Sequence, residues 1–284
     1  MPFTTLISVA DLSHSLTLKP TLITVDCRFS LADTGLGKKL YLQGHLPNAR
    51  YAHLDAHLSS PITPTSGRHP LPDFTQLTTQ IEQWGITNQS QVVVYDDVSG
   101  GFAARLWWLL RTLGYDNVAV LNGGIQAWQA AGHSLETELP HCTPSQFQTQ
   151  LDDQSWWDIN ELQQHLTNND CVLIDARATE RFEGLEEPID SVAGHIPGSV
   201  NLPTSENLDQ HGLFLNADMI KAHYQALIGE IDAKQVVHSC GSGVFACFGV
   251  LAMEYAGLGG SKIYPGSWSE WIRDTKRDVA TGKA

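Results

Sequence analysis

The chain repeats itself, and the repeat limits what it can fold into. Four landmarks occur in the same order in both halves, about 143–150 residues apart. In the first half they are Ile23-Thr24-Val25-Asp26-Cys27-Arg28, then Gly44-His45-Leu46-Pro47, then Gln91-Val92-Val93-Val94-Tyr95-Asp96, then Leu121-Asn122-Gly123-Gly124 ahead of Trp128. In the second half they are Val172-Leu173-Ile174-Asp175-Ala176-Arg177, then Gly194-His195-Ile196-Pro197, then Gln235-Val236-Val237-His238-Ser239-Cys240, then Tyr264-Pro265-Gly266-Ser267 ahead of Trp271. Because order and spacing are both kept, one fold has to serve both halves. Each half alternates short β-branched runs with stretches of helical spacing, the pattern of βαβ units around a parallel sheet. The expectation is an α/β protein of two tandem domains, each a mainly parallel sheet flanked by helices.

A chain of 284 residues has room for two such domains at about 100–200 residues each. We place the first domain at 1–135 and the second at 156–284, where Trp156, Trp157, Ile159, Leu162 and Leu166 begin a helical spacing. Between them, 136–155 reads as a linker, with Pro140, Pro144 and many polar residues in no clear period. Trp107 and Trp108, inside the helical spacing of Arg105 to Arg111, are expected in the helix-to-sheet core, where aromatic rings bury large apolar areas.

Composition removes several classes of function. A net charge of −14 leaves no clustered basic surface for nucleic acid or an anionic membrane. No run reaches the ~18 apolar residues of a membrane span, and the first 18 residues lack the pattern of a signal peptide. The five cysteines are odd in number, scattered, and form no Cys-x-x-Cys pair, so neither a disulfide framework nor a metal site is expected. A reducing cytoplasm suits such a chain.

The chemistry concentrates at Cys240. There a β-branched run ends, Gly241 and Gly243 let the chain curl, and Ala246 to Tyr255 reads as a helix. Such a turn aims the backbone N–H groups of Gly241, Ser242, Gly243, Val244 and Phe245 at one sulfur, with the positive end of the helix behind them. This is a setting for a thiolate nucleophile. In the first half Asp96 stands at the equivalent position and cannot be a sulfur nucleophile. That half is therefore expected to be non-catalytic and to shape a single cleft between the domains. A phosphatase loop of this kind would need an arginine six residues after the cysteine, and position 246 is alanine. A cysteine protease would pair the thiolate with a histidine; His238 shares a strand face with Cys240 but reads as a core residue. Cys247 likewise reads as buried packing, not as a resolving thiol.

With Gly194-His195-Ile196-Pro197-Gly198-Ser199, Cys240-Gly241-Ser242-Gly243-Val244 and Tyr264-Pro265-Gly266-Ser267-Trp268-Ser269-Glu270-Trp271 in tandem halves, the chain resembles the tandem-domain rhodanese family. Within it, the cysteine loop is most similar to that of 3-mercaptopyruvate sulfurtransferases. The resemblance implies a cofactor-free persulfide mechanism in which Cys240 takes sulfur from a small anionic donor and passes it to cyanide, a thiol or a thioredoxin-like acceptor. It also implies that Arg181 binds donor oxygens, with His45 and Asp33 at the mouth of the site. A thiosulfate:cyanide sulfurtransferase and a non-enzymatic persulfide carrier are the alternatives. Two departures bear on the donor. Ile189 follows Glu187-Pro188 where the mercaptopyruvate enzymes carry a second donor-binding arginine, and Phe245 stands where they have threonine. Thiosulfate-preferring relatives have basic residues directly after the cysteine, and Gly241-Ser242-Gly243 offers none. From sequence alone, Ile189→Arg is expected to raise kcat/KM for 3-mercaptopyruvate more than for thiosulfate. An unchanged or lower ratio of the two efficiencies contradicts that geometry.

Overall fold

The structure, a computed structural model, describes residues 2–18 and 21–283. It divides into two compact units. The first contains residues up to Ser60, Leu71–Asp152 and the short segment His211–Leu213; the second contains Pro61–Pro70, Asp153–Gln210 and the chain from Phe214 onward. Among the described residues no helix is long and apolar enough to cross a membrane.

The first unit holds strands β1 (Leu6–Ile7), β2 (Leu22–Asp26), β3 (Arg50–Tyr51), β4 (Gln91–Tyr95) and β5 (Val118–Leu121), in the order β1-β5-β4-β2-β3. The second holds β6 (Val172–Asp175), β7 (Ser199–Asn201), β8 (Val236–Ser239) and β9 (Lys262–Ile263), in the order β7-β6-β8-β9. Every strand pairing in both sheets is parallel. The order β5-β4-β2-β3 matches β9-β8-β6-β7, so the sequence duplication is also a duplication of topology. Every residue of β2, β4 and β8 is buried, as expected of central parallel strands covered on both faces. Trp107 and Trp108 lie buried on the helix Ala103–Thr112 that follows β4. Residues 136–152 pack within the first unit: Glu136 bridges His45, and the Ser145 and Gln150 N–H groups donate to the carbonyls of Glu82 and Leu113, each at 2.9 Å.

The repeated landmarks owe their repetition to buried polar work. At the end of β2, Arg28 forks onto Asp26 with Nε 3.0 and 2.9 Å from the two carboxylate oxygens, and its Nη2 donates to the Gly44 carbonyl at 2.7 Å. At the end of β6, Arg177 does the same to Asp175 at 3.1 and 3.0 Å and to Gly194 at 2.7 Å. Each fork ties a strand end to the glycine of the Gly-His turn that leads to the neighbouring strand. The turn histidines also repeat. His45 Nδ1 lies 2.8 Å from the Tyr41 carbonyl with its ring stacked on Tyr41, and His195 Nδ1 lies 2.8 Å from the Phe182 carbonyl, stacked on Phe182.

Removing one member of such a pair strands the other charge in the interior. Arg177→Met is therefore expected to cost about 3–5 kcal/mol in urea unfolding. A loss below about 1 kcal/mol contradicts the role assigned to this fork.

Candidate active site

Cys240 directly follows β8 and is almost fully buried. Its loop turns because both of its carbonyl neighbours are tied down from one side. Trp268 N–H donates to the Cys240 carbonyl at 3.0 Å, and Ser269 N–H to the Gly241 carbonyl at 2.9 Å, both from the first turn of the helix Ser267–Trp271. The Cys240 N–H is held by Ser267 Oγ at 3.0 Å, and that hydroxyl donates to the Tyr264 carbonyl at 2.9 Å. With the carbonyls held there, the Ser242 and Gly243 N–H groups point at the sulfur, 3.4 and 3.2 Å from Sγ. Gly243 has φ +79°, and a Cβ on it would stand 2.1 Å from the Pro265 carbonyl oxygen, so only glycine closes this turn. The helix Ala246–Tyr255 begins directly behind the loop and is buried for most of its length.

Of the five expected donors, the Ser242 and Gly243 N–H groups make N–H···S hydrogen bonds to Cys240. The first unit shows the same cradle occupied by a carboxylate. Asp96 is fully buried; one of its oxygens accepts from Val98 and Gly100 at 2.9 and 2.8 Å, the other from Phe102 and Ala103 at 2.7 and 2.8 Å. A carboxyl group held by four backbone N–H groups fills that nest; burial pushes its pKa up, and the N–H groups oppose the shift.

Cations gather beside the Cys240 loop. Arg181 lies on the short helix Thr179–Phe182 and forks onto Glu187, with Nε 3.1 Å from both oxygens and Nη2 2.7 Å from one of them. Burial opposes ionisation of Glu187, but the Arg181 hydrogen bonds and the N–H groups of Asp190 and Ile189 outweigh it and hold the carboxyl below its ordinary range. Arg181 Nη2 also reaches Asp190 at 3.2 Å. A Cβ on Gly241 would lie 3.7 Å from both terminal nitrogens of Arg181.

Sequence reasoning missed the strap Pro61–Pro70, which belongs to the second unit. It lies tight against the stretch after Pro265: a Cβ on Gly67 would stand 2.6 Å from the Gly266 carbonyl oxygen, Arg68 N–H donates to Ser269 Oγ at 3.0 Å, and Arg273 Nε donates to the Ser66 carbonyl at 3.2 Å. Two strap side chains reach the loop. His69 is buried, with Nδ1 2.8 Å from Ser242 Oγ. Arg68 pairs through Nη1 with Asp190, and a Cβ on Gly241 would be 2.9 Å from its Nη2. One available signal was that the Gly67-Arg68-His69-Pro70 run has no counterpart in the second half.

Two residues expected at the mouth belong to the first unit. His45 belongs to the first unit, is fully buried, and has both ring nitrogens against backbone carbonyls, those of Tyr41 at 2.8 Å and Glu138 at 3.2 Å. That makes it a buttress of its turn, as its duplicate His195 is, and it has no surface to offer a donor. Asp33, also in the first unit, is exposed and accepts from the Gly35 N–H at 3.1 Å ahead of the helix Leu36–Gln43. His238 is a core residue: burial lowers it to about 3, its Nε2 sits 3.3 Å from Met253 Sδ, and its ring packs on Gly249. Cys247 is fully buried and donates to the Gly243 carbonyl at 3.5 Å.

This geometry has known relatives. The family model described as "Rhodanese-like domain" matches twice, over residues 8–131 and 158–274. The chain is 44% identical over 266 residues to a Pseudomonas aeruginosa protein named "Probable 3-mercaptopyruvate sulfurtransferase", covering 93% of this chain and 94% of that one. It is 30% identical to the thiosulfate sulfurtransferase of Mus musculus, covering 97% and 94% of the two chains. Among solved structures it superposes on the 3-mercaptopyruvate sulfurtransferase from Leishmania major with a TM-score of 0.84 and 30% identity, covering 94% of this chain and 74% of that one. With a duplicated parallel sheet, a cysteine loop after β8 and two domain matches spanning most of its length, the chain belongs to the rhodanese-like family.

Proposed function

We propose that the protein is a sulfurtransferase that carries sulfur on Cys240 as a persulfide, with 3-mercaptopyruvate as the favoured donor. The observation that carries this reading is the sulfur of Cys240, held by two backbone N–H groups beside the Arg181 guanidinium. A nucleophile in such a nest splits sulfur transfer into two displacements, and the charge on sulfur is stabilised in the interval between them.

In the first displacement the Cys240 thiolate attacks the donor sulfur. The donor C–S bond breaks, its electron pair passes to the carbon as the enolate of pyruvate, and the donor thiol's proton ends on that carbon. The products are pyruvate and a Cys240 persulfide anion. Ser242 Oγ and His69 Nδ1, 2.8 Å apart next to the loop, form a hydroxyl–imidazole pair suited to relaying that proton. In the second displacement an acceptor thiolate or cyanide attacks the terminal sulfur, and the S–S electron pair returns to Cys240. Thiol and thioredoxin-like acceptors fit this step. The five free cysteines agree with a reducing, cytoplasmic setting.

Thiosulfate is the second donor to weigh, because relatives of both kinds align over most of the chain. It is disfavoured here because Gly241-Ser242-Gly243 places no cationic side chain directly after the nucleophile. The test is kcat/KM for the two donors side by side, with cyanide as acceptor. The expected result is a clear preference for 3-mercaptopyruvate, no turnover by Cys240→Ser, and a kcat lowered about 10²-fold in Ser242→Ala. Retained turnover in Cys240→Ser overturns the persulfide reading, and a preference for thiosulfate overturns the donor.

A further inference from the structure

The hydroxyl–imidazole pair beside Cys240 is assembled from two segments far apart in sequence. Ser242 belongs to the nucleophile loop and His69 to the strap Pro61–Pro70, and both lie in the second unit. The strap contains no helix or strand, so its place beside the loop depends on individual contacts. Ser269 bonds to both segments. Its N–H donates to the Gly241 carbonyl at 2.9 Å, one residue before Ser242. Its hydroxyl accepts from the Arg68 N–H at 3.0 Å, one residue before His69.

The hydroxyl is fixed in the direction this requires. Ser269 is 3% exposed, and its Oγ donates to the Gly266 carbonyl at 3.3 Å, which turns a lone pair toward the strap. The strap comes close enough to use it because residue 67 is glycine: a Cβ there would stand 3.0 Å from Ser269 Oγ and 2.6 Å from the Gly266 carbonyl oxygen. The strap is also held by the bond from Arg273 Nε to the Ser66 carbonyl and by the Arg68–Asp190 pair. The far ends of those two contacts, Arg273 and Asp190, lie outside the nucleophile loop. Ser269 instead ties the strap to the loop itself.

We propose that Ser269 is a positioning residue that sets the distance between His69 and Ser242, and through it the rate of the first displacement. The two side chains stand 2.8 Å apart, a separation at which a proton passes directly. Without Ser269 Oγ the Arg68 N–H loses its acceptor, and the strap shifts to find another. That shift widens the relay, while the Ser269 N–H still holds the Gly241 carbonyl and the nest around Cys240 stays intact. The inference rests on the sulfur-transfer reading and on the relay assigned above to His69 and Ser242. It adds a residue outside that pair on which the pair depends.

The two displacements differ in their need for the relay. The first moves a proton from the donor thiol to carbon, and the second, with cyanide anion, moves none. The full chain is therefore tested in two half-reactions: pyruvate release in a single turnover of 3-mercaptopyruvate without acceptor, and loss of persulfide from preloaded protein on adding cyanide. Ser269→Ala is expected to slow pyruvate release about 5- to 30-fold and to change the cyanide step less than about 2-fold. In a Ser242→Ala background, where the relay is already broken, the same substitution should cost less than about 2-fold more, a coupling that a merely structural role would not give. If Ser269→Ala does not fold by circular dichroism, Gly67→Ala displaces the strap at the same contact with Ser269 in place. It should slow pyruvate release at least about 5-fold and leave the cyanide step unchanged. Pyruvate release within twofold of wild type in the folded variant, equal slowing of both half-reactions, or an undiminished effect in the Ser242→Ala background overturns the assignment of Ser269 and leaves the sulfur-transfer reading intact. Undiminished pyruvate release by Ser242→Ala overturns the relay and this inference with it. Absence of a persulfide on the wild-type chain overturns the sulfur-transfer reading itself.

Discussion

An anion held by inward-pointing backbone N–H groups is the constraint on which the site depends. The turn after β8 can present those groups only because its carbonyls and its first N–H are engaged elsewhere, by Trp268, Ser269 and Ser267. The helix Ser267–Trp271 is thus as much a part of the nucleophile's setting as the loop itself. Asp96 in the first unit shows what the nest does when it has no chemistry to perform: a fixed carboxylate takes four N–H groups at 2.7–2.9 Å. Replacing that carboxylate by a cysteine turns a permanently filled nest into one that can hold a sulfur anion for a time.

Around this nest the charges are arranged in pairs that hold each other in place. Arg177 is engaged by Asp175, the Gly194 carbonyl and, at 3.4 Å, Glu187, so it builds the fold. Arg181 divides its head between Glu187 and the space above Gly241, and Arg68 divides its own between Asp190 and that same space. Long cationic side chains carry a large rotamer entropy, and an acidic partner on one edge reduces what remains to be ordered when an anion meets the other edge. The acids thereby hold the two guanidinium heads in place.

Much of the fold was legible in the sequence because the duplication fixed two copies of one topology, and the all-buried runs of β2, β4 and β8 read directly as central parallel strands. The Cys240 loop was legible for the same local reason: strand, glycine turn and helix follow one another within a few residues. What was not legible came from the strap. Arg68 and His69 lie more than about 170 residues before Cys240 in a polar, aperiodic stretch, and no local spacing rule joins them to it. The place of His45 in its turn was hard to read for a related reason. A Gly-His-Leu-Pro turn in one half is ambiguous, but its twin at His195 makes the identical stacking and carbonyl contact, which marks the pair as structural. In this duplicated chain the paired histidines hold their turns, whereas Gly67-Arg68-His69-Pro70, present in one half, lies against the Cys240 loop.

The most direct test of the account is to expose the full chain to a stoichiometric amount of 3-mercaptopyruvate without any acceptor and locate the transferred sulfur by intact and peptide mass spectrometry. The account predicts a gain of one sulfur atom, confined to the peptide carrying Cys240, removed by cyanide and absent from Cys240→Ser. Sulfur found on Cys27, Cys142, Cys171 or Cys247 instead, or pyruvate released with no sulfur retained on the protein, would contradict it.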